Sequence, residues 1–326
     1  MKILVIGLGS MGKRRIRLLK ELDNIELFGI DKQESRRSET RDSFGINCYS
    51  SIREAVEKEL PEAAIVCTSP LSHSSLINEC LNNHLHVFSE INLVSDGYDK
   101  NLCLAKAEGK VLFLSSTFLY RSETQAIIEK VHQALCPLNY IYHIGQYLPD
   151  WHPWESYNSF FIGDPRTNGC REILAIELPW IITAFGPIIK VSAVKSKNTE
   201  LEIHYNDNYL ITIEHQGGHK GVLAVDVVTR KPIRHIDVYG ESLQLSWNGT
   251  PNSLIQYNPD SRVEEIIRLN EDSEHLDGYA EFISENPYRN ELMAFLKQIS
   301  QPEYDPIWNF ERDREVLRII DQIEAE

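Results

Sequence analysis

The sequence predicts an α/β doubly wound parallel sheet followed by an α+β domain with a large antiparallel sheet. Three observations carry this. Residues 1 to about 118 alternate short apolar runs with helical patterns. A glycine-rich turn follows the first apolar run at once. Beyond about residue 139 the alternation gives way to period-two segments such as Tyr209-Leu210-Ile211-Thr212-Ile213-Glu214.

In the first part the strands read as 2–6, 25–30, 46–49, 63–68, 86–89 and 111–115. Helical patterns lie at about 11–22, 51–59, 73–83 and 97–108. The strands are apolar on both faces, as in a parallel sheet covered by helices. After a helix at about 122–135, strands are expected at 139–147, 188–196, 200–205, 208–216, 221–229, 233–239 and 242–247. Asn206-Asp207-Asn208 and Gln216-Gly217-Gly218 suit hairpin turns. One helix at about 171–185 precedes Gly186-Pro187, and helices return at 286–299 and 311–325. The expected domains are 1–120 and 121–326, and no internal repeat or low-complexity linker separates them.

The opening turn is Gly7-Leu8-Gly9-Ser10-Met11-Gly12, a G-x-G-x-x-G pattern between a strand and a helix. This is the dinucleotide-binding fingerprint of the Rossmann sheet. Gly7 allows the tight turn, Gly9 leaves the backbone open to a pyrophosphate, and Gly12 lets the helix pack on the strand. The helix N-terminus, with Ser10 and Met11, then meets the phosphates with free N–H groups. The second strand ends at Asp31, where a carboxylate binds ribose hydroxyls and repels a 2′-phosphate, which favours NAD. Lys32, Arg36 and Arg37 follow, and cations there neutralise a 2′-phosphate, so NADP stays open. The fourth strand runs into Thr68-Ser69-Pro70-Leu71-Ser72-His73. Thr68 and Ser69 offer hydroxyls at the ligand crevice and Pro70 forces an abrupt exit. His73 opens the next helix, where either a ligand contact or a structural hydrogen bond suits it.

The 326 residues carry 42% hydrophobic and 25% charged residues, the balance of a globular protein long enough for two domains. A formal net charge of −15 argues against nucleic acid as a partner. Acidic runs such as Glu54, Glu57, Glu59 and Glu62 read as solvated helix faces. Six scattered cysteines with no C-x-x-C pair suggest neither a disulfide framework nor a zinc site, and no metal is expected. The first strand begins at residue 2 and its apolar run is too short for a signal peptide. No apolar run approaches a membrane span, so a cytoplasmic protein with no membrane partner is expected.

With these parts in place the chain resembles the Gfo/Idh/MocA oxidoreductases. The resemblance rests on the fingerprint, the segment 68–73, the strand His86-Val87-Phe88-Ser89-Glu90-Ile91-Asn92-Leu93, the following α+β domain and the late helix Tyr288 to Leu296. It implies an NAD(P)-dependent oxidoreductase acting on a sugar-like small molecule, with the second domain's sheet forming a homo-dimer or tetramer. It also adds Glu90 and Asn92 to the cofactor set. The stretch Gly145 to Trp154 (GQYLPDWHPW) resembles members from surface-polysaccharide or amino-sugar pathways. Its aromatic rings suit the apolar faces of sugars.

The departures from the family matter as much. Its Glu-Lys-Pro motif reads Glu90-Ile91-Asn92, so isoleucine replaces the lysine that lies by the nicotinamide. Aligned on Glu177-Leu178, the family's paired Asp and His fall at Ile173 and Ile176. Alcohol oxidation or carbonyl reduction needs a proton to move as well as a hydride. His152, Glu90, Tyr120 and Arg171 are the candidates for that chemistry, His152 first because imidazole titrates near neutrality. Two functions fit: a redox enzyme with a relocated proton-transfer group, or a nucleotide-binding accessory or sensor protein with little dehydrogenase activity.

Overall fold

The structure, a computed structural model, describes residues 1–151, 156–269 and 284–325. Contacts divide the chain into two units. One comprises Met1–Ser116 with Tyr288–Arg314, the other Thr117–Pro287 with Glu315–Glu326.

The first unit opens with β1 (Lys2–Ile6), α1 (Ser10–Lys20), β2 (Glu26–Ile30), α2 (Glu34–Phe44), β3 (Asn47–Tyr49) and α3 (Ile52–Glu59). It continues with β4 (Ala63–Val66), α4 (Pro70–Asn82), β5 (His86–Ser89), α5 (Tyr98–Ala107) and β6 (Leu112–Leu114). Among the described residues these strands form a six-stranded parallel sheet in the order β3-β2-β1-β4-β5-β6. Strand order reverses between β1 and β4, and open α/β sheets bind ligands beyond the carboxyl ends at such a point. Ile3, Leu4, Val5 and all of β4 are fully buried, as strands covered on both faces must be. The helix starts have local causes. Ser51 Oγ accepts from the Glu54 amide at 3.2 Å to begin α3, and Pro70 supplies the first position of α4.

The helical patterns read from the sequence omit α2. Its eleven residues bury only Thr40, so it has no apolar stripe for a period of 3.6 to reveal.

Later in the chain come α8 (Asn286–Ser300) and α9 (Phe310–Ala325). In the first unit Phe295 of α8 meets Phe88 and Phe113 edge-on at 5.6 and 5.8 Å, while those two rings stack at 5.2 Å. Tyr98 packs edge-on to Phe310 at 4.8 Å, and its hydroxyl donates to Asp313 Oδ2 at 2.5 Å.

The second unit contains α6 (Ser122–Gln133), β7 (Asn139–Gly145), α7 (Gly169–Phe185), β8 (Ile188–Ser196), β9 (Asn208–His215) and β10 (Lys220–Asp226). β11 (Ile233–Tyr239), β12 (Gln244–Trp247), β13 (Ile255–Asn258) and β14 (Val263–Ile266) follow. Among the described residues they form an eight-stranded sheet in the order β14-β13-β12-β11-β7-β10-β9-β8. It is antiparallel except where β7 lies parallel to β10. α7 covers one face, stacking Phe185 on Tyr140 at 4.4 Å and setting Trp180 edge-on to Tyr142 at 5.5 Å. On the opposite face Ile141, Val194, Leu210 and Val222 are exposed, and register places Val194 beside Leu210 and Val222 beside Ile141.

The strand expected at 200–205 does not form. Ser196 pairs directly with Asn208, and the residues between make a loop held by the buried Asp207. Its carboxylate accepts from the amides of Asn198 and Thr199 and from Thr199 Oγ1 at 2.6–3.0 Å. The alternation of Leu201, Ile203 and Tyr205 mimics a strand, but the aspartate closes the chain back on itself. The expected turn at Gln216-Gly217-Gly218 does join β9 to β10, with Gly218 at φ +85°. β13 and β14 were missed because four-residue strands with Glu264 and Glu265 at the edge carry little apolar signal.

Burial raises the Asp313 carboxyl from 3.8 to about 7, against the hydrogen bonds from Tyr98 and Trp308. A carboxyl raised in the folded state stabilises the fold fully below about 4, and that stability is lost as pH rises through about 7. Asp313→Asn keeps an acceptor for Tyr98 without the charge. Thermal melts should therefore show the variant gaining on wild type between pH 5 and pH 8. A difference in Tm that does not change with pH contradicts this.

Candidate functional site

The turn between β1 and α1 divides its three glycines by role. Gly7 stands at φ +93°, and a Cβ there would lie 2.7 Å from the Cys67 carbonyl oxygen. A Cβ on Gly12 would lie 1.9 Å from the Gly7 carbonyl oxygen, so α1 can approach β1 only with glycine at this position. Gly9 has ordinary dihedrals, φ −75° and ψ −164°, and the sole atom within 4 Å of its would-be Cβ is Arg36 Nη1 at 3.9 Å. Two glycines thus serve packing and one leaves open space. No side chain caps α1 and no acidic residue lies in its first turn, so the dipole end beside Ser10 and Met11 is left to an anion. These are the features a pyrophosphate requires.

Asp31 ends β2 and is buried. Its Oδ2 accepts from the Leu8 amide at 2.9 Å and its Oδ1 from the Gln33 amide at 2.8 Å. The acid therefore clasps the glycine turn to the loop before α2, besides offering the lone pairs that remain. Lys32 is exposed.

At the end of β4, Thr68 Oγ1 and Ser72 Oγ lie 2.8 Å apart, and Ser69 and Pro70 open α4. His73 is buried one turn in, with Nε2 2.9 Å from the Thr68 carbonyl and Nδ1 2.8 Å from the Asn92 side-chain amide. Burial holds this imidazole below its ordinary pKa, so it is neutral and has one N–H. The carbonyl can only accept, so Nε2 carries that hydrogen; Asn92 Oδ1 stands 2.8 Å from Nδ1, and turning that amide end for end would give Nδ1 its donor. Both nitrogens of His73 are occupied within the protein. The pair fixes Asn92 at the end of β5.

Glu90 is committed likewise. Its Oε1 takes the Arg15 Nε hydrogen at 2.6 Å, and Cys67 Sγ approaches it at 3.8 Å. Arg15 is wholly buried in α1. Its Nη2 reaches Glu291 Oε2 at 2.7 Å, its Nη1 the Tyr288 carbonyl at 3.1 Å, and its guanidinium lies over the Phe88 ring at 4.6 Å. Burial raises the Glu291 carboxyl while Arg15 opposes the shift. The sequence did hold a signal for this arginine. Arg15, Leu18, Leu19 and Leu22 share the spacing of one apolar stripe, and a cation there must have a partner.

The remaining candidates belong to the second unit. Tyr120 ends a 3₁₀ turn over Thr117–Tyr120 and is buried. Arg171 lies in the first turn of α7 and pairs with Asp321 at 2.7 Å and with Glu324 of α9 at 2.5 Å, rather than with Glu172 beside it. The segment after β7 runs along the end of β10, with the Leu148 amide donating to Val227 at 3.0 Å. Arg230 stacks over Tyr147 at 3.9 Å, and Trp151 Nε1 donates to the Gln146 carbonyl at 3.0 Å. His152 lies outside the described residues.

Glu172 follows Arg171 in α7. It lies one turn before Ile176 and beside Ile173, with no side-chain partner among the described residues. Burial raises its carboxyl from 4.5 to about 7. Glu177, on the next turn, is the opposite case. It is fully buried, and Arg234, Tyr142 and Trp180 all donate to it at 2.6–3.1 Å.

The fold and the turn define a dinucleotide-binding α/β protein. Residues 1–115 match the model of the Gfo/Idh/MocA group, described as an oxidoreductase family with an NAD-binding Rossmann fold. Over 92 residues the chain is 36% identical to myo-inositol 2-dehydrogenase of Thermotoga maritima, a stretch covering 28% of each protein. Among solved structures it is similar to GenD2 of gentamicin A biosynthesis in complex with NAD, with a TM-score of 0.79 and 15% identity over 100% of this chain and 94% of that one. It is also similar to UDP-N-acetylglucosamine 3-dehydrogenase of Acidithiobacillus ferrooxidans, with a TM-score of 0.75 and 16% identity over 100% and 97%. At these identities the structural likeness is one of fold. The fold covers the whole chain, and the sequence relationship covers its first part.

The glycine roles make a paired prediction. Gly12→Ala should cost on the order of 3 kcal/mol or more in urea unfolding, because the new methyl collides with backbone. Gly9→Ala should change stability by less than about 1 kcal/mol and weaken NAD⁺ binding at least about tenfold by calorimetry. Equal effects of the two on folding contradict the division.

Proposed function

We propose that this protein is an NAD(P)-dependent oxidoreductase of a sugar, amino sugar or nucleotide-linked sugar. The observation that carries the reading is the open space over Gly9 between an uncapped helix start and Asp31. Relatives named for inositol and for UDP-N-acetylglucosamine support the substrate class. The bound nicotinamide would supply or accept the hydride. The chain's own part is to hold the pyrophosphate on the backbone at Gly9–Gly12, to receive the ribose at Asp31, and to move a proton.

The crevice residues of the first unit are poorly suited to that last task. His73 and Glu90 are committed to internal partners, and Asn92 and Ile91 do not titrate. Glu172 suits it better. The resemblance assigns proton transfer to positions 173 and 176, and residues 172, 173 and 176 share one helical face. A carboxyl near pH 7 exists in both forms at working pH, as a general acid or base must. His152 and Tyr120 remain candidates of the same kind, while Arg171 is occupied by its acidic partners.

Ile91, Ile173 and Ile176 favour a second reading, a nucleotide-binding accessory or sensor protein without turnover. Steady-state absorbance of reduced nicotinamide with a panel of keto-sugars separates the two. Turnover is expected, with kcat for reduction falling as pH rises through about 7 because the acid form of Glu172 is lost. Glu172→Gln should lower kcat at least about a hundredfold and abolish that pH limb without changing nucleotide affinity. A limb that survives in Glu172→Gln and vanishes in His152→Ala transfers the role to His152. Tight binding with no turnover supports the accessory protein.

The exposed apolar face of the second sheet supports a homo-dimer or tetramer. Monomeric proteins seldom leave such a strip open. Leu210→Glu and Val194→Glu should reduce the mass found by light scattering to that of one chain. Wild type that already runs as a monomer ends this proposal.

A further inference from the structure

Glu172 has no hydrogen-bond partner among the described residues and keeps part of its surface exposed, yet the turn that carries it is fixed from three sides. Its amide donates to the Asn168 carbonyl at 2.9 Å, closing the first turn of α7. Asn168 is buried, and its Oδ1 accepts from the Arg171 amide at 2.8 Å as an N-cap. A Cβ on Gly169 would lie 2.8 Å from Val227 Cγ1, so the first helical residue sits directly against the chain leaving β10. The Asn168 Nδ2 donates to the Pro165 carbonyl at 3.0 Å and to Glu324 Oε1 at 2.7 Å.

The Glu324 carboxylate serves two residues of this turn at once. Its second oxygen, Oε2, takes Arg171 Nη1 at 2.5 Å, while Asp321 takes Arg171 Nη2 at 2.7 Å. The end of α9 is itself anchored. Ile320 and Ile323 are fully buried, and Lys195 of β8 donates to the carbonyls of Ile323, at 3.2 Å, and of Glu324. The cap alone satisfies the helix start. The bridge from Glu324 adds orientation, because it ties the cap and the residue before Glu172 to one fixed point.

We propose that Glu324 is a positioning residue for proton transfer: by joining Asn168 to Arg171 it fixes the first turn of α7 and holds the Glu172 carboxyl in place. The inference rests on Glu172 as the proton-transfer group. Glu324 acts through the backbone of residues 168–172. With the bridge cut, the turn frays, water reaches the Glu172 carboxyl, and its charged form gains stability.

Carbon-13 NMR of the full-length chain, labelled at the glutamate side-chain carboxyls, reads the titration of Glu172 without needing turnover. Its signal is the one lost in Glu172→Gln. The wild-type midpoint should lie at about 7. Glu324→Ala should lower it by at least about one pH unit and lower kcat with a keto-sugar at least about tenfold, with NAD⁺ affinity unchanged. Glu324→Gln keeps an acceptor for Asn168 and leaves Asp321 to Arg171, so it should restore both. Asn168→Ser keeps the cap without the donor to Glu324. It should move the midpoint the same way, and it carries the test if Glu324→Ala does not fold. Glu315→Ala, at an exposed position of the same helix, should alter neither quantity. A midpoint that stays near 7 in Glu324→Ala and Asn168→Ser, or that moves equally in Glu315→Ala, overturns the role of Glu324 alone. A wild-type midpoint near the ordinary 4.5 overturns Glu172 as the proton-transfer group and this inference with it.

Discussion

The first unit depends on a guanidinium with no access to water. Stripping Arg15 of solvent is expensive unless its donors find acceptors, and removing a partner from a buried ion pair typically costs about 3–5 kcal/mol. Glu90 and Glu291 provide those acceptors from β5's end and from α8, and the Tyr288 carbonyl adds a third. Two carboxylates against one guanidinium leave the cluster one charge short of neutral. The Ser116 amide donates to the second oxygen of Glu291, and burial pushes that carboxyl upward. Because the cluster is costly to break, it fixes Glu90 and with it the chain through Ile91 and Asn92. The Thr68–His73–Asn92 chain of hydrogen bonds fixes the same segment from α4. The crevice floor is thus set by two polar devices and not by packing alone.

How much of this was legible follows from range. The glycine turn is a local device, and the structure gives Gly7 its positive φ and Gly12 its close helix–strand approach as the spacing predicted, with space left over Gly9. The apolar strands β1, β4 and β5 were equally plain, since burial on both faces leaves no polar residue to confuse the pattern. The duties of Arg15 were not, because its partners lie 75 and 276 residues away. Asp31 was read as a ligand for ribose, and its clasp on the Leu8 amide, 23 residues back, was invisible. At 200–205 local alternation misled because Asp207 competes for the backbone amides that a strand would use. Local patterns were read correctly where the partner is local or the environment uniform. They failed where one side chain answers to a distant one.

The same distinction sorts the candidate site residues by chemistry. A group that transfers protons must exchange partners during the reaction, whereas a group that positions must not. Glu90, His73, Arg171 and Glu177 all hold their partners at hydrogen-bonding distances in protected surroundings. Glu177 shows the extreme, with Arg234, Tyr142 and Trp180 all donating to it and no lone-pair direction to spare. Glu172 is the contrary case on the same helix, a carboxyl with no hydrogen-bond partner among the described residues and a raised affinity for its proton. Two glutamates five residues apart in α7 thus differ by environment, one held by three donors and one with a raised affinity for its proton.

That difference bears on the isoleucines at 91, 173 and 176. Isoleucine at these positions carries no titratable group where the resemblance implies a lysine, an aspartate and a histidine. Burial drives a carboxyl toward its neutral form, which is the direction found for Glu172 beside Ile173 in α7. A relocated donor is accordingly the reading we propose, since α7 keeps a carboxyl of raised pKa one turn before Ile176.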